Sequence, residues 1–454
     1  MSVTSASPVR NPDLRDTGAM TKRGWILVVL NLLIPGSAQL LAGNRRLGRF
    51  GVGATFVLWA LAIIAGLLYA FLRTVIYTIA STPVALWGIA ALLVFYGVLW
   101  VVLTLDTLRL VRLVKTVPVA RPAIAILTVA ALVVTAGGAA YGAFVATTAS
   151  GFISDTFVAA PPEPPVDGRY NIMLLGGDAG ADRTGLRPDS MTVVSIDAET
   201  GAATLIGLPR NMEKVPFVAG SPMAEKYPNG YGVNGCEVDV CLLNSIYTEV
   251  ELVSPEMYPN AVAEGSLPGI EGMRDALEGI TGLTIQYYGL IDMAGFSELI
   301  DALGGVTINV PVAVPIHTDD TFTTVLEYIG PGVVHMNGYY ALWYARSRHD
   351  TSDYDRMARQ RQIQEAIVEQ ANPANVLSKF QAIAAAGSQV VKTDIPQGTL
   401  GYFVELAGKT KSLPISSLEL VPANDVVPED PDFGYIRELV AAALAPAPDP
   451  EKTG

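Results

Sequence analysis

The sequence predicts an α/β domain carried behind an α-helical membrane region, and three observations predict it. Long apolar runs are confined to the first third of the 454 residues, where they have the length of membrane spans. Charge is split along the chain: residues 1–150 hold twelve Lys or Arg against three Asp, a balance of +9, whereas residues 151–454 hold eighteen against forty acidic residues, a balance of −22. Beyond residue 168, apolar runs of strand length alternate with segments of helical spacing, the pattern of a layered α/β domain. An acidic domain of this kind is a poor partner for nucleic acid.

Residues 1–21 are polar and read as a disordered cytoplasmic tail, with no cleavage pattern after them, so the chain is expected to stay anchored. The membrane region is 22–149. Its first apolar run, 25–42, is interrupted by Asn31, Pro35, Gly36 and Gln39; three cleaner runs, at about 50–72, 84–105 and 122–147, are each long enough to span. Basic residues cluster at Lys22 and Arg23, at Arg45, Arg46 and Arg49, and at Arg109, Arg112, Lys115 and Arg121, while only Arg73 lies between the second and third runs. Under the positive-inside rule this fits a re-entrant or interfacial 25–42 segment followed by three crossings. The protein is then a multi-pass cell-membrane protein with its acidic domain outside.

A Pro-rich linker, 150–167, precedes that domain and would hold it off the bilayer. Strands are expected at 170–175, 191–196, 203–208, 285–291 and 306–310, with a turn at 197–201 and helices at 269–280 and 294–303. Asn337 and Gly338 open a further helix that runs into an arginine-rich stretch. Residues 373–445 read as a helical extension and 446–454 as a disordered tail. The two cysteines, Cys236 and Cys241, sit close together in a loop; in an oxidising compartment a disulfide is the natural reading. Two cysteines do not make a structural zinc site, and His317, His335 and His349 show no ligand spacing with them.

The chemistry concentrates in the stretch from Ala341 to Gln362, where Arg346, Arg348, Arg356, Arg359 and Arg361 fall within sixteen residues. Arg346 and Arg348 would point the same way in an extended segment, and Arg356 and Gln360 share one helical face. Guanidinium forks match phosphate oxygens two at a time. The bland alternative is a solvated, salt-bridged helix start using Asp350, Asp353 and Asp355. Asp178 ends the first strand and Asp189 opens the next, so the pair could share a hard cation such as Mg²⁺, although aspartates in loops are mostly turn residues. Arg210, after the third strand, would project from the same edge or be an ordinary surface arginine.

These residues resemble the LytR-CpsA-Psr family of Gram-positive cell envelopes. The match is carried by Asn171-Ile172-Met173-Leu174-Leu175-Gly176-Gly177-Asp178, Arg187-Pro188-Asp189-Ser190-Met191, Leu208-Pro209-Arg210-Asn211, Asp301-Ala302-Leu303-Gly304-Gly305-Val306, and Arg346-Ser347-Arg348 with Asp355 to Gln362. It covers about residues 168–372. The resemblance implies an α/β/α layered extracytoplasmic domain with a central mixed sheet. It also implies a phosphotransferase that moves a glycopolymer from a polyprenyl-pyrophosphate carrier to a peptidoglycan acceptor through a phosphodiester. By the same resemblance, Asp178 and Asp189 hold Mg²⁺ (or Mn²⁺), and Arg210, Arg346, Arg348 and Arg356 hold the pyrophosphate. Arg187, Arg359 and Gln360 add substrate contacts, and the lipid tail lies in an apolar groove. Many members read Pro-Arg-Asp where this chain has Pro209-Arg210-Asn211, so no carboxylate is required there. Two other functions fit the same residues: a non-catalytic module that holds or scaffolds lipid-linked polymer, and a hydrolase of the pyrophosphate.

Overall fold

The computed structural model describes residues 9–10, 12–178, 187–318, 325–349, 351–370 and 391–445. The chain divides into two compact units, Met1–Gly151 and Phe152–Gly454.

In the first unit, α1 (Thr17–Leu33), α2 (Ser37–Ala42), α3 (Arg45–Phe71), α4 (Arg73–Ala80), α5 (Pro83–Val111) and α6 (Ala120–Leu132) are followed by α7 (Gly138–Thr156), which a π turn at Val133–Gly137 joins to α6. Three stretches, Arg45–Phe71, Pro83–Lys115 and Ala120–Thr156, are long and apolar enough to cross a membrane. Helix α1 begins inside the tail expected to be disordered, because Asp16 accepts a hydrogen bond from the Ala19 N–H at 3.0 Å and so caps it. The 25–42 run is a helix, a break and a short helix. Pro35 has no N–H to offer, and Gly36 sits at φ 99°. A Cβ on Gly36 would lie 2.5 Å from Val52 N, so only glycine lets the break rest on α3. Gln39 closes the corner by donating to Leu103 O at 2.8 Å and Thr107 Oγ at 2.9 Å.

The second unit is organised on a six-stranded mixed sheet in the order β10-β3-β2-β1-β4-β9. Its strands are β1 (Arg169–Asp178), β2 (Arg187–Asp197), β3 (Ala203–Leu208), β4 (Tyr287–Asp292), β9 (Val391–Thr393) and β10 (Ser416–Glu419). Strands β1, β2 and β3 are antiparallel neighbours, while β1 with β4 and β3 with β10 are parallel. The β2–β3 connection is an Asx turn, with the Asp197 carboxylate accepting from Thr200 N at 2.7 Å and Glu199 N at 3.0 Å. Alternation along β1 sends Met173 and Leu175 to one face, where they join Val193, Ile206 and Leu208 in the main core.

That core is covered by α8 (Pro222–Lys226), α9 (Ser245–Leu252), α10 (Pro268–Thr281) and a C-terminal helix, Phe433–Leu444, through Ile246, Ile270, Leu277 and Ile436. Across the sheet, a second cluster joins α11 (Met293–Leu303), β5 (Val306–Val310), β6 (Val314–Thr318), β7 (Val325–Ile329), β8 (Gly332–Met336), α12 (Gly338–Arg346) and α13 (Asp353–Gln370). Helix α14 (Leu400–Thr410) packs Leu406 on Tyr170 and Tyr287, and the Phe433–Leu444 helix is α15.

The helical extension expected at 373–445 is therefore not a mere appendage. Residues 371–390 lie outside the described residues, but the rest supplies both edge strands, β9 and β10, interleaved with helices. The two edge strands have three and four residues, too short to leave a period-2 signature.

Asp275 on α10 accepts a hydrogen bond from the Tyr258 hydroxyl, and burial pushes its carboxyl up to about 6. The folded state thus holds this proton more tightly than the unfolded chain. The associated stability is fully present below the ordinary value of 3.8 and is lost as pH rises through about 6. Asp275→Asn should leave the melting temperature at pH 4 unchanged and raise stability at pH 7 by on the order of 2 kcal/mol. Equal shifts at both pH values in thermal melts of the full chain in detergent would show that the burial cost lies elsewhere.

Candidate functional site

The site forms where β2 leaves its register with β1. Gly176 pairs with Ser190 and Gly177 with Pro188, so Asp189 is the extra residue of a β-bulge. A bulge re-aims the side chain it carries, and Asp189 is turned toward the loop that follows β3 and toward the start of α13. Arg210, just past β3, donates to Asp189 Oδ1 at 2.6 Å. Arg348, in the short link between α12 and α13, stands 3.5 Å from Asp189 Oδ2. Arg356, on the first turn of α13, donates to the Asp189 carbonyl oxygen at 3.1 Å.

A second carboxylate completes the cluster. Asp353 accepts from Arg356 at 3.0 Å and lies 3.5 Å from Arg210 Nε and 3.9 Å from Arg348 Nε. Among the described residues, three guanidiniums thus converge on two carboxylates, leaving one positive charge in excess. Arg356 is only 2% exposed, and burial lowers its pKa to about 10, with Arg348 and Arg210 adding to the lowering and Asp353 opposing it. It remains charged at neutral pH. Its Nε–H and the neighbouring Asn211 Oδ1 are buried without a hydrogen-bond partner among the described residues. Arg348 is the most exposed member, at 45%, and among the described residues its carboxylate contacts are the two longer ones.

The start of α13 explains why Asp353 is available. Ser352 and Asp355 form a reciprocal cap: the Asp355 carboxylate accepts from Ser352 N at 2.8 Å, and Ser352 Oγ accepts from Asp355 N at 3.1 Å. That bonding with Ser352 holds the Asp355 carboxyl below its ordinary value. Asp355 is spent on the helix end, while Asp353 faces the arginines. The capped helix start and the arginine cluster are therefore built from different aspartates; Asp350 lies outside the described residues.

The remaining expected residues divide. Arg346 ends α12 and is exposed, but the link after it is only a few residues long, so Arg346 is helical rather than half of an extended pair with Arg348. Arg359, expected to contact substrate, is 6% exposed and occupied internally: it donates to Tyr344 O at 2.9 Å and to Ser347 O, and its guanidinium lies 5.9 Å from the Tyr344 ring centre. Gln360 donates to Ala345 O at 3.3 Å, again toward the α12–α13 link. Arg187 opens β2 opposite Asp178. The backbone of Asp178 ends β1, and its side chain lies outside the described residues. Cys236 and Cys241 are joined by a disulfide with Cα atoms 5.8 Å apart, in a loop whose neighbour, buried Glu249, accepts from Tyr231 at 2.8 Å and from Tyr227. Sequence reasoning missed Asp353 as a member of the cluster; its signal is the position one turn before Arg356, three residues away.

The donor set suits a hard cation in part. Asp189 offers a half-exposed carboxylate at a strand end, beside the end of the strand that carries Asp178, and a divalent ion of this kind takes one or two carboxylates with water and phosphate oxygens. No group of three or more His, Cys, Asp or Glu that could hold a metal occurs among the described residues.

An α/β domain with an arginine-rich edge site on a mixed sheet defines the general class. The family described as LytR_cpsA_psr matches residues 153–430, and the chain belongs to that family. Among curated relatives, it is 24% identical over 229 residues to the polyisoprenyl-teichoic acid–peptidoglycan teichoic acid transferase TagU of Bacillus mycoides (strain KBAB4), covering 50% of this chain and 60% of the relative. It is 27% identical over 232 residues to biofilm regulatory protein A of Streptococcus mutans, covering 50% of each. The chain thus spans half to three-fifths of the length of these relatives. Among solved structures, B. subtilis TagV aligns at 21% identity and TM-score 0.42, covering 62% of this chain and 98% of TagV. Protein gbs0355 of Streptococcus agalactiae aligns at 22% and 0.45, covering 61% and 88%.

The division between occupied and available arginines is testable by stability. Arg359→Ala removes buried donors to two backbone carbonyls and should cost about 2–3 kcal/mol, whereas Arg348→Ala should change stability by less than about 0.5 kcal/mol. Denaturant titrations of the full chain read both, and a larger loss for Arg348→Ala would reverse the assignment.

Proposed function

We propose that the protein is a membrane-anchored phosphotransferase that moves a glycopolymer from a polyprenyl-pyrophosphate carrier to peptidoglycan. The observation that carries this reading is the convergence of Arg210, Arg348 and Arg356 on Asp189. The relative TagU, a polyisoprenyl-teichoic acid–peptidoglycan teichoic acid transferase, supports the same substrate classes.

In the reaction, the oxygen of an acceptor hydroxyl forms a bond to the phosphorus that bears the glycopolymer. The phosphoanhydride P–O bond breaks, polyprenyl phosphate leaves with the bond's electron pair, and the hydroxyl proton is released. Charge builds on the bridging oxygen as that bond breaks, and guanidinium forks fixed at that oxygen lower the barrier. Arg210 and Arg348 would exchange their carboxylate contacts for phosphate oxygens, and Arg348 is best placed to turn because its contacts are long and its side chain exposed. Arg356 is held by Asp353 and by the Asp189 backbone, so it supplies a fixed charge rather than a mobile clamp.

Asp189 with Asp178 would hold Mg²⁺ or Mn²⁺, which supplies Lewis-acid neutralisation of the pyrophosphate when bound. In this reading the apolar helices anchor the chain, and the charge pattern at Arg23, Arg49 and Arg121 supports an extracytoplasmic second unit.

The test uses the full chain in vesicles with a polyprenyl-pyrophosphate oligosaccharide, a peptidoglycan fragment and Mg²⁺. Expected are a phosphodiester-linked product and polyprenyl phosphate in equal amounts. Arg348→Ala should lower kcat/KM by about 100-fold, with Arg348→Lys recovering only part, since a point charge cannot reproduce a bidentate fork. Asp189→Ala should abolish transfer. Free oligosaccharide phosphate in place of conjugate would favour hydrolysis, and tight substrate binding with no product would favour a scaffold.

A further inference from the structure

We infer that the membrane unit holds a binding site for an uncharged, hydroxyl-headed lipid, in a cleft between α1, α3, α5 and α6. The inference rests on reading these helices as membrane-embedded. The cleft has a volume of about 110 Å³, room for roughly three waters or the glycerol end of one lipid. Among the described residues no charged side chain lines it, which disfavours a phosphate or ammonium headgroup as its occupant.

The lining is rich in hydrogen-bond acceptors. Thr55, Thr107, Thr128 and Thr135 all line it, and each hydroxyl donates to a carbonyl one turn back in its own helix, at 2.9, 2.8, 2.7 and 2.8 Å. The hydroxyl oxygens of Thr55, Thr128 and Thr135 keep lone pairs to offer, and that of Thr107, which already accepts from Gln39, keeps one. Asn31 donates to Thr104 Oγ at 3.2 Å, but its Oδ1 is buried with no donor, in a residue that is only 8% exposed. A buried acceptor left unpaired in an apolar medium is costly, and the partner it lacks is an O–H or N–H. An alcohol brings one donor per oxygen without bringing charge.

Depth points to the same ligand. Thr55 lies six residues beyond Arg49 and Thr128 seven beyond Arg121, about 10 Å along each helix from the basic rim. That is where the glycerol and hydroxyl groups of a lipid meet its acyl chains, and Trp59 and Trp100, which line the deeper part of the cleft, would flank the chains themselves.

The experiment uses the full chain in phospholipid vesicles and a diacylglycerol with a diazirine in its acyl chain, compared with its methyl ether. Lipid-facing Tyr141 and Phe144, both more than half exposed, serve as the reference for immersion. Expected is labelling at Trp59 and Trp100 at least fivefold stronger with the alcohol than with the ether, and loss of that excess in Asn31→Leu, with equal reference labelling throughout. Equal labelling by the two probes, no labelling at the cleft, or an excess that survives Asn31→Leu would overturn the site. A chain unlabelled at Tyr141 and Phe144 would instead overturn the membrane reading, and the site with it.

Discussion

The second unit depends on one electrostatic constraint: three guanidiniums must be kept within reach of one another without driving the elements that carry them apart. Arg210 follows β3, Arg348 sits in the α12–α13 link and Arg356 belongs to α13, so the cluster ties three separate parts of the chain to the β2 bulge. Two carboxylates meet this cost. Asp189 comes from the sheet and Asp353 from the helix, and each touches more than one arginine. The two carboxylates balance only two of the three charges. A polyanion that replaces carboxylate contacts on the outer arginines gains the surplus charge without having to move the buried one.

Helix α13 shows how one sequence feature serves several ends. Its arginines leave the helix in different directions because 3, 5 and 2 residues of spacing each correspond to different fractions of a turn. Arg356 reaches the site. Arg359 binds the carbonyls of Tyr344 and Ser347 and so fixes the link that carries Arg348. Arg361 pairs with Glu419 on β10, donating through Nε at 2.8 Å, and joins the helix to the edge of the sheet. The crowding that reads as an anion site in the sequence is thus partly a mounting for that site. Two buried arginines spend their donors inside the protein so that others can point outward.

Legibility followed sequence range. The strands 170–175, 191–196 and 203–208 and the helices at 269–280 and 294–303 were readable because each carries its own periodicity, and the structure moves their ends by only a few residues. Strands β9 and β10 were not, since three or four residues exist as strands only through the partner they pair with. Asp189 and Arg210 were legible as strand-end residues, whereas their 2.6 Å contact depends on the β2–β3 register and on the bulge. Arg359 and Asp353 exchanged the roles that composition suggests, because burial and direction are tertiary properties.

The two units handle polar groups by opposite logic. In the second unit, burial of Arg356 lowers its pKa to about 10 and is offset by an ion pair and a backbone carbonyl, so the group stays charged at neutral pH. In the first unit the buried polar groups along the cleft are neutral: threonines bonded to their own helices, and amides bridging between helices at Asn31 and Gln39. Neutral amides cost less to bury in an apolar medium than charges do, and they recognise by donor and acceptor pattern instead of by sign. A polyanion would therefore find its complement in the arginine cluster of the second unit, whereas the proposed cleft of the first would discriminate among uncharged groups by their donors and acceptors.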